Sequence, residues 1–219
     1  MRTTKAQQGF TLVEIAIVLV IIGLLLGGIL KGQEMITQAK IKNVIADFSG
    51  ISAAYHGYQD RYRAIPGDDP GAAKRWTTPT TATAGDGNGQ LTAAGGYQMA
   101  CATAAATDEV CHFWDHLRRA GFVSGTGTQQ PFNAVTGLIG VQSGGLGFSG
   151  LIICSANLPD KIAIAVDTQM DDGTPNAGTV RGIDQTSPNP AIASTSPAST
   201  AASVFLESGT ATYTLCRSL

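Results

Sequence analysis

Apolar positions along the chain fall into two patterns before residue 63. Residues 10–30 are almost continuously apolar, and as a helix they span about 31 Å, close to the ~30 Å hydrocarbon core of a bilayer. Residues 33–62 contain no proline, and their apolar residues approximate a spacing of three and four. These are Met35, Ile36, Ala39, Val44, Phe48, Ile51, Tyr55 and Tyr58. The pattern predicts one long helix over 10–62, transmembrane at 10–30 and ended by Pro66 and Gly67.

The rest of the chain, residues 63–219, predicts a globular domain of shorter elements. Residues 63–100 form a long connection rich in Gly and Thr, and residues 185–203 have the composition of an exposed loop. The segment "CHFWDHLRRAGFV" predicts a short helix that ends at Gly121. Its predicted buried face comprises Phe113, Trp114, Leu117 and Ala120.

Short β-branched runs separated by Gly or Pro predict strands in the second half of the chain. They are "NAVTGLIGV", "GFSGLIICSA", "DKIAIAVDT", "TVRGI", "SVFLE" and "TYTLC". The predicted fold class is therefore α+β, with a long N-terminal helix packed on an antiparallel sheet.

The charge content limits the classes of function that the chain can have, and the cysteine content indicates its cellular compartment. Only 14% of the residues are charged and the net charge is −2, so no basic surface for nucleic acid is evident. All four cysteines follow the apolar run, and an even number predicts two disulfides in an oxidising compartment. Neighbouring spacing favours Cys101–Cys111 and Cys154–Cys216, although four cysteines allow three connectivities.

The N-terminal apolar run differs from an ordinary signal peptide. Arg2 and Lys5 precede it, which predicts a cytoplasmic N-terminus with the remainder of the chain outside. The Gly9–Phe10 junction lies before the apolar run, whereas a secretory cleavage site follows it. Glu14 lies inside the run, where an uncompensated acid costs on the order of a few kcal/mol and normally has a partner.

The segment "QQGFTLVEIAIVLVIIGLLL" resembles the class III leader and first helix of type IV pilins and type II secretion pseudopilins. The resemblance implies a leader of residues 1–9, cleavage after Gly9 by a prepilin peptidase, and N-methylation of Phe10. It implies that Glu14 pairs with the N-terminal amine of a neighbouring subunit during assembly. Many pilins have a kinking proline where this chain has Lys31, and Gly27, Gly28 and Gly32 are the residues that can soften the helix there.

The resemblance implies a structural subunit of a type IV pilus-like filament, and not an enzyme. The implied partners are copies of itself or related pilins, the prepilin peptidase, an inner-membrane assembly platform and the lipid bilayer. The implied location is the bacterial inner membrane, with a single span, and then a periplasmic or surface filament. Three alternatives stay open: a minor pilin, a pseudopilin of a type II secretion system, and a membrane-anchored periplasmic binding module.

Acidic and histidine-containing segments suggest candidate metal sites. The stretch Asp86–Gln90 fails the EF-hand spacing and favours a turn. Asp167, Asp171 and Asp172 form either a structural turn or a calcium site, as acidic loops do in some pseudopilins. His112 and His116 are four residues apart but lack a third ligand, so we expect two solvated histidines.

Overall fold

A computed structural model describes residues 11–93 and 95–219. Helix α1 runs without interruption over Leu12–Tyr62, through Lys31 and the three nearby glycines. The predicted long helix is therefore present, although Phe10, its predicted first residue, lies outside the described residues. The chain divides into two units inside α1, the first ending at Ala39 and the second beginning at Lys40.

The second part of α1 carries a buried stripe at helical spacing. Its buried residues are Ile41, Val44, Phe48, Ile51, Ala54, Tyr55 and Tyr58. Met35, Ile36 and Ala39, which the sequence pattern placed in this stripe, are exposed. The apolar periodicity therefore continues toward the N-terminus beyond the segment that the hydrophobic core covers.

Four antiparallel strands form a single sheet in the order β1-β2-β4-β3. Their bounds are β1 Ile139–Gly145, β2 Phe148–Pro159, β3 Val180–Asp184 and β4 Thr212–Ser218. Strands β1 and β2 form a hairpin through Leu146 and Gly147, both with positive φ, which suits a two-residue turn. The α+β architecture predicted from the sequence is confirmed, and it is pilin-like.

Strand β2 has buried apolar side chains at successive positions. Because successive side chains of a strand point to opposite faces, both faces of the sheet are covered. Leu151 and Ile153 join the main core together with the stripe of α1. Ile152 and Cys154 belong to a second cluster with Tyr97, Leu146, Ile192 and Ala201. Residues 185–203 are therefore not simply an exposed loop, because two of their apolar side chains, Ile192 and Ala201, are buried in that cluster.

Three short helices follow α1. Helix α2 spans Ala72–Arg75, α3 spans Glu109–Arg119 and α4 spans Asp160–Met170. Helix α3 is the one predicted from the sequence; Phe113, Trp114 and Leu117 are buried, and Ala120, at its C-cap, is half-buried. Single 3₁₀ turns lie at Gly96–Gln98, Cys101–Thr103 and Ala198–Thr200.

Three of the strand predictions were wrong in whole or in part. "DKIAIAVDT" forms α4, because Ile162, Ala163 and Val166 also have helical spacing and bury one helix face. "SVFLE" forms no strand, and Val204 and Leu206 are exposed. In "NAVTGLIGV" the strand begins only at Ile139.

Candidate functional site

Glu14 lies in the first turn of α1, where its carboxylate caps the helix. Its Oε2 accepts hydrogen bonds from the Thr11 backbone N–H at 2.9 Å and from the Thr11 hydroxyl at 2.8 Å. The Thr11 hydroxyl oxygen in turn accepts from the Glu14 backbone N–H at 3.3 Å. This reciprocal pair is a capping box, a Thr followed three residues later by Glu. The capping box was not predicted from the sequence, although the spacing is visible in "TLVE". Gly9 and Phe10 lie outside the described residues.

The remainder of this part of α1 is apolar and exposed. Its large apolar side chains between Leu12 and Leu30 retain 46–90% of their accessible surface. Length and composition make α1 the one described helix able to cross a membrane, and the apolar window lies near the N-terminus. Lys31 and Glu34 follow the apolar run and form an exposed ion pair at 2.7 Å. The apolar segment therefore needs lipid or other protein surfaces to cover it.

Two disulfides join the same cysteine pairs that neighbouring spacing favoured. Cys101 bonds to Cys111, linking the second 3₁₀ turn to α3. Cys154 bonds to Cys216, which is its direct partner in the β2–β4 ladder. The second bond closes a loop of 62 residues, and the chain-entropy estimate for that loop is about 4 kcal/mol. It ties the C-terminal strand to the centre of the sheet.

Asp167, Asp171 and Asp172 lie together where α4 ends. One carboxylate oxygen from each residue lies within 4.8 Å of the other two. Asp167 is fully buried, and neither of its carboxylate oxygens has a hydrogen-bond partner among the described residues. Burial, with Asp172 and Asp171 adding like charge, raises the pKa of Asp167 to about 7. The structure thus brings the three predicted acids together.

A second acidic cluster, Asp68, Asp86 and Glu109, joins residues distant in sequence. Asp68 accepts hydrogen bonds from the backbone N–H groups of Gly87, Asn88 and Gly89. Glu109 accepts from the N–H groups of Asp86 and Thr92 and from the Thr92 hydroxyl. Backbone donors around a carboxylate form a small anion-binding nest.

Residues 86–89 therefore fold as a turn that binds an acid of this chain. This outcome agrees with the turn predicted for Asp86–Gln90. The role of Asp68 in this cluster was not predicted from the sequence. The available signal was a pair of successive acids, Asp68 and Asp69, inside the Pro- and Gly-rich turn that follows α1.

Asp69 anchors the end of α1 to the same turn. Its carboxylate accepts a hydrogen bond from the Tyr58 hydroxyl at 2.6 Å and forms a salt bridge with Arg75. It also accepts from the Gly71 N–H at 2.7 Å. The Arg75 guanidinium lies over the Tyr62 and Trp76 rings, so the charge pair and the aromatic residues stabilise one another.

The prediction of two solvated histidines on α3 was wrong, because both are buried. His116 Nδ1 accepts a hydrogen bond from the Gly67 N–H at 2.8 Å, so Nε2 carries the proton and donates to the Thr83 carbonyl oxygen. His112 Nε2 lies 2.9 Å from the Ala105 carbonyl oxygen. Burial lowers the pKa of His116 to about 4. The two histidines form hydrogen bonds that join different backbone segments to α3. Within the described residues they do not share a metal-ligating arrangement.

Comparison with known proteins gives one match, and it falls on the N-terminal segment. The prokaryotic N-terminal methylation motif matches residues 4–30. Searches of curated proteins and of solved structures found no match to the chain. The matched segment contains the Gly9–Phe10 junction, Glu14 and the exposed apolar part of α1. Over residues 4–30, the chain therefore carries the class III leader of type IV pilins and pseudopilins, and its described domain has an α+β, pilin-like architecture.

Proposed function

We propose that the protein is a structural subunit of a type IV pilus-like filament. A prepilin peptidase cuts it after Gly9 and methylates Phe10, and the mature chain then assembles through the apolar part of α1. One observation carries this proposal: the methylation motif over residues 4–30 coincides with a helix segment whose apolar side chains are exposed. The motif points to a structural protein and not to an enzyme.

The exposed apolar segment has two possible covers, lipid before assembly and other subunits after it. Removing such side chains from water contributes about 1.5–3 kcal/mol for each large residue, so the segment does not stay in water. Transfer from lipid to a helix bundle gains little further hydrophobic energy, because lipid tails are already apolar. Packing and polar pairing between helices must therefore favour assembly. Glu14 is the acid in this segment that can take part in such a pair.

Glu14 supplies that polar pairing in the proposed filament. Its carboxylate receives the positively charged N-terminal amine of a neighbouring subunit, so two opposite charges leave the lipid as a pair. In the single chain Glu14 bonds Thr11 through Oε2. A carboxylate has about four acceptor sites, so the cap and the amine can be bound at once.

A pair of variants separates the charge of Glu14 from its role in the capping box. Glu14→Gln removes the charge but keeps a side chain that can complete the box. Thr11→Ala removes the box but keeps the charge. Each full-length variant is expressed in the native host, and cleavage, membrane insertion and filament yield are measured separately.

We expect Glu14→Gln to be inserted and cut but to give few filaments, as Glu14→Ala should. Thr11→Ala should assemble at close to the normal yield, because the loss of an N-cap costs only about 1 kcal/mol. Normal filament yield from both Glu14→Gln and Glu14→Ala would contradict the assembly role. A greater loss with Thr11→Ala than with Glu14→Gln would assign Glu14 to helix capping alone.

The inner-membrane assembly platform and the bilayer are the partners that this pathway requires. The proposed topology is a single span with the N-terminus in the cytoplasm, followed by a periplasmic or surface filament. Copy number in purified filaments distinguishes a major pilin, present along the whole filament, from a minor pilin or pseudopilin. A membrane-anchored binding module predicts instead an uncut chain that is insensitive to changes at Glu14.

A further inference from the structure

Two adjoining recesses beside strand β1 form a groove, which we call the β1 groove. Their volumes are about 800 Å³ and about 250 Å³, and Gln90, Ser143 and Ser194 line both of them. The walls come from the segments 89–93, 95–98, 107–108, 142–144, 148–151 and 191–194. The larger recess lies within the range of about 300–1,000 Å³ that is usual for the binding sites of small organic ligands.

Gln142, on β1, joins two walls of the groove. It is 3% exposed, and its side-chain amide forms three hydrogen bonds. Oε1 accepts from the Tyr97 N–H at 3.0 Å, and Nε2 donates to the carbonyl oxygens of Ile192 at 3.1 Å and Gly144 at 2.8 Å. One buried and fully bonded side chain thus holds the wall at 95–98 and the wall at 191–194 in place, so the groove is preformed.

Polar side chains on the walls remain free to bond a ligand. Gln90, Thr107 and Ser194 are exposed, and no hydrogen bond within residues 11–93 and 95–219 engages their side chains. The Ser143 hydroxyl oxygen accepts from the Leu91 N–H at 2.7 Å, which leaves its own proton available for donation. The groove therefore offers both donors and acceptors of neutral type.

Asp108 is the one charged group among the described residues that line the groove. It is 5% exposed, and its Oδ2 accepts from the Ala105 N–H at 2.6 Å. Within the described residues no hydrogen bond engages Oδ1, and this oxygen keeps contact with solvent. Because the oxygens of a buried carboxylate are normally hydrogen-bonded, we expect a donor in the groove to reach Oδ1.

Phe148 gives the smaller recess an aromatic surface. Its ring is half-buried, and the Arg181 guanidinium carbon lies 4.3 Å from the ring centroid. Arg181 also donates to the Leu146 carbonyl oxygen at 2.7 Å, which holds the guanidinium against the ring. The ring is therefore held in a fixed position at one end of a polar groove.

We propose that the β1 groove binds a short, neutral oligosaccharide. Each sugar hydroxyl can donate and accept, which suits walls that carry amide and hydroxyl groups and the free oxygen of Asp108. The C–H face of a sugar ring is apolar and can pack on Phe148. Binding here requires neither cleavage after Gly9 nor assembly through α1.

The lining chemistry disfavours other classes of ligand. None of the described lining residues is basic, and Asp108 repels anions, so nucleic acids and acidic sugars are disfavoured. The large aliphatic residues of the walls are buried, which leaves little apolar surface for a lipid or for the apolar anchors of a peptide. They are Leu91, Leu151 and Ile192.

The experiment uses the full-length chain in micelles of a phosphocholine detergent, because a detergent with a sugar head group would compete. Cellotetraose, maltotetraose and N-acetylchitotetraose are titrated separately by isothermal calorimetry, and tetragalacturonate serves as the acidic probe. We expect at least one neutral probe to bind once per chain with a dissociation constant on the order of 10⁻³ M or tighter. Tetragalacturonate should bind at least about tenfold more weakly than the best neutral probe.

Three variants locate the bound sugar. Gln90→Ala, at an exposed position shared by both recesses, should weaken binding at least about threefold without affecting folding. Asp108→Asn should weaken binding of the neutral probe about tenfold and reduce the discrimination against tetragalacturonate. Gln169→Ala, exposed on α4 outside the groove, should leave binding unchanged. Gln90→Ala keeps the test decisive if Asp108→Asn does not fold.

Three results would overturn the proposal. The first is the absence of binding of all three neutral probes up to about 10 mM, a concentration at which even a weak site would be occupied. The second is binding of tetragalacturonate as tight as that of the best neutral probe. The third is binding that Gln90→Ala and Asp108→Asn both leave unchanged, which would place the sugar elsewhere on the chain.

Discussion

The two parts of helix α1 follow the same backbone but have opposite surroundings. Between Leu12 and Leu30 the large apolar side chains are exposed, whereas between Ile41 and Tyr58 an apolar stripe is buried in the core. The first part has apolar residues on every side of the helix, and the second has them on one side only. The first part is therefore suited to contacts outside the chain, and the second to stabilising this domain. Substitutions in the two parts should accordingly change different measured quantities.

The largest expected effect lies at the cleavage junction that precedes the first part. Gly9→Leu puts a bulky side chain where the leader of this class has glycine, and we expect the unprocessed chain to accumulate in the membrane. Intact mass measures cleavage, and the thermal unfolding midpoint of the purified chain should stay unchanged. Gln7→Leu introduces the same side chain two residues earlier; it serves as the control and should be processed. Normal cleavage of Gly9→Leu would refute the assigned junction.

The second prediction compares the same substitution in the two parts of α1. Ile41 is 2% exposed and Ile29 is 56% exposed. Ile41→Ala should lower the free energy of unfolding by about 2–5 kcal/mol, because it removes buried methyl groups and leaves a cavity. Ile29→Ala should change it by less than about 0.5 kcal/mol, because no part of the core surrounds it.

Denaturant titration of both variants in detergent, with the disulfides intact, measures this difference. Ile29→Ala should instead reduce filament yield, because its side chain faces lipid or other subunits in the proposed assembly. Equal losses of unfolding free energy in the two variants would contradict the division of α1 into an assembly part and a folding part.

The third prediction concerns pH and the buried core that only the second part of α1 helps to form. Folding lowers the pKa of His116 from 6.5 to about 4 because burial disfavours the charged ring. Below pH 6.5 the unfolded chain therefore binds a proton that the folded chain does not, so stability falls as the pH decreases toward 4. The total contribution is about 3 kcal/mol, fully present above pH 6.5 and lost below the folded pKa.

The unfolding free energy measured between pH 7 and pH 4 checks this prediction. His116→Gln should be less stable at neutral pH but should lose less stability on acidification. His56→Gln, at an exposed position of α1, should keep the wild-type pH dependence. An unchanged pH dependence in His116→Gln would show that another group controls acid unfolding.

Sequence alone predicted the elements whose pattern had a single interpretation. The long helix, α3 and the strands around Ile153 and Leu215 follow from periodicity, and the α+β class follows from their order. Helix α4 was mistaken for a strand because "KIAIAV" alternates and also fits a helix, and only packing decides between them. Residues 185–203 were expected to be exposed because composition does not show that the second face of the sheet needs a cover.

The candidate sites also divide into those that a local sequence pattern revealed and those that only the fold revealed. Glu14 was recognisable because an acid in an apolar run is costly, but its capping role was overlooked beside that anomaly. The three acids at the end of α4 are close in sequence and were found, although the burial of Asp167 became known only from the fold. Asp68 and Glu109 are 41 residues apart, as their numbers show, and their meeting depends on tertiary contacts that no local pattern reveals.

The mass of the mature protein shows whether this chain enters the pilin processing pathway. The protein is extracted from membranes of its native host, and its intact mass and N-terminal peptide are measured. We expect a chain that begins at Phe10 and carries one added methyl group. A chain that still begins at Met1 or Arg2 would refute processing by the prepilin peptidase and favour a membrane-anchored binding module.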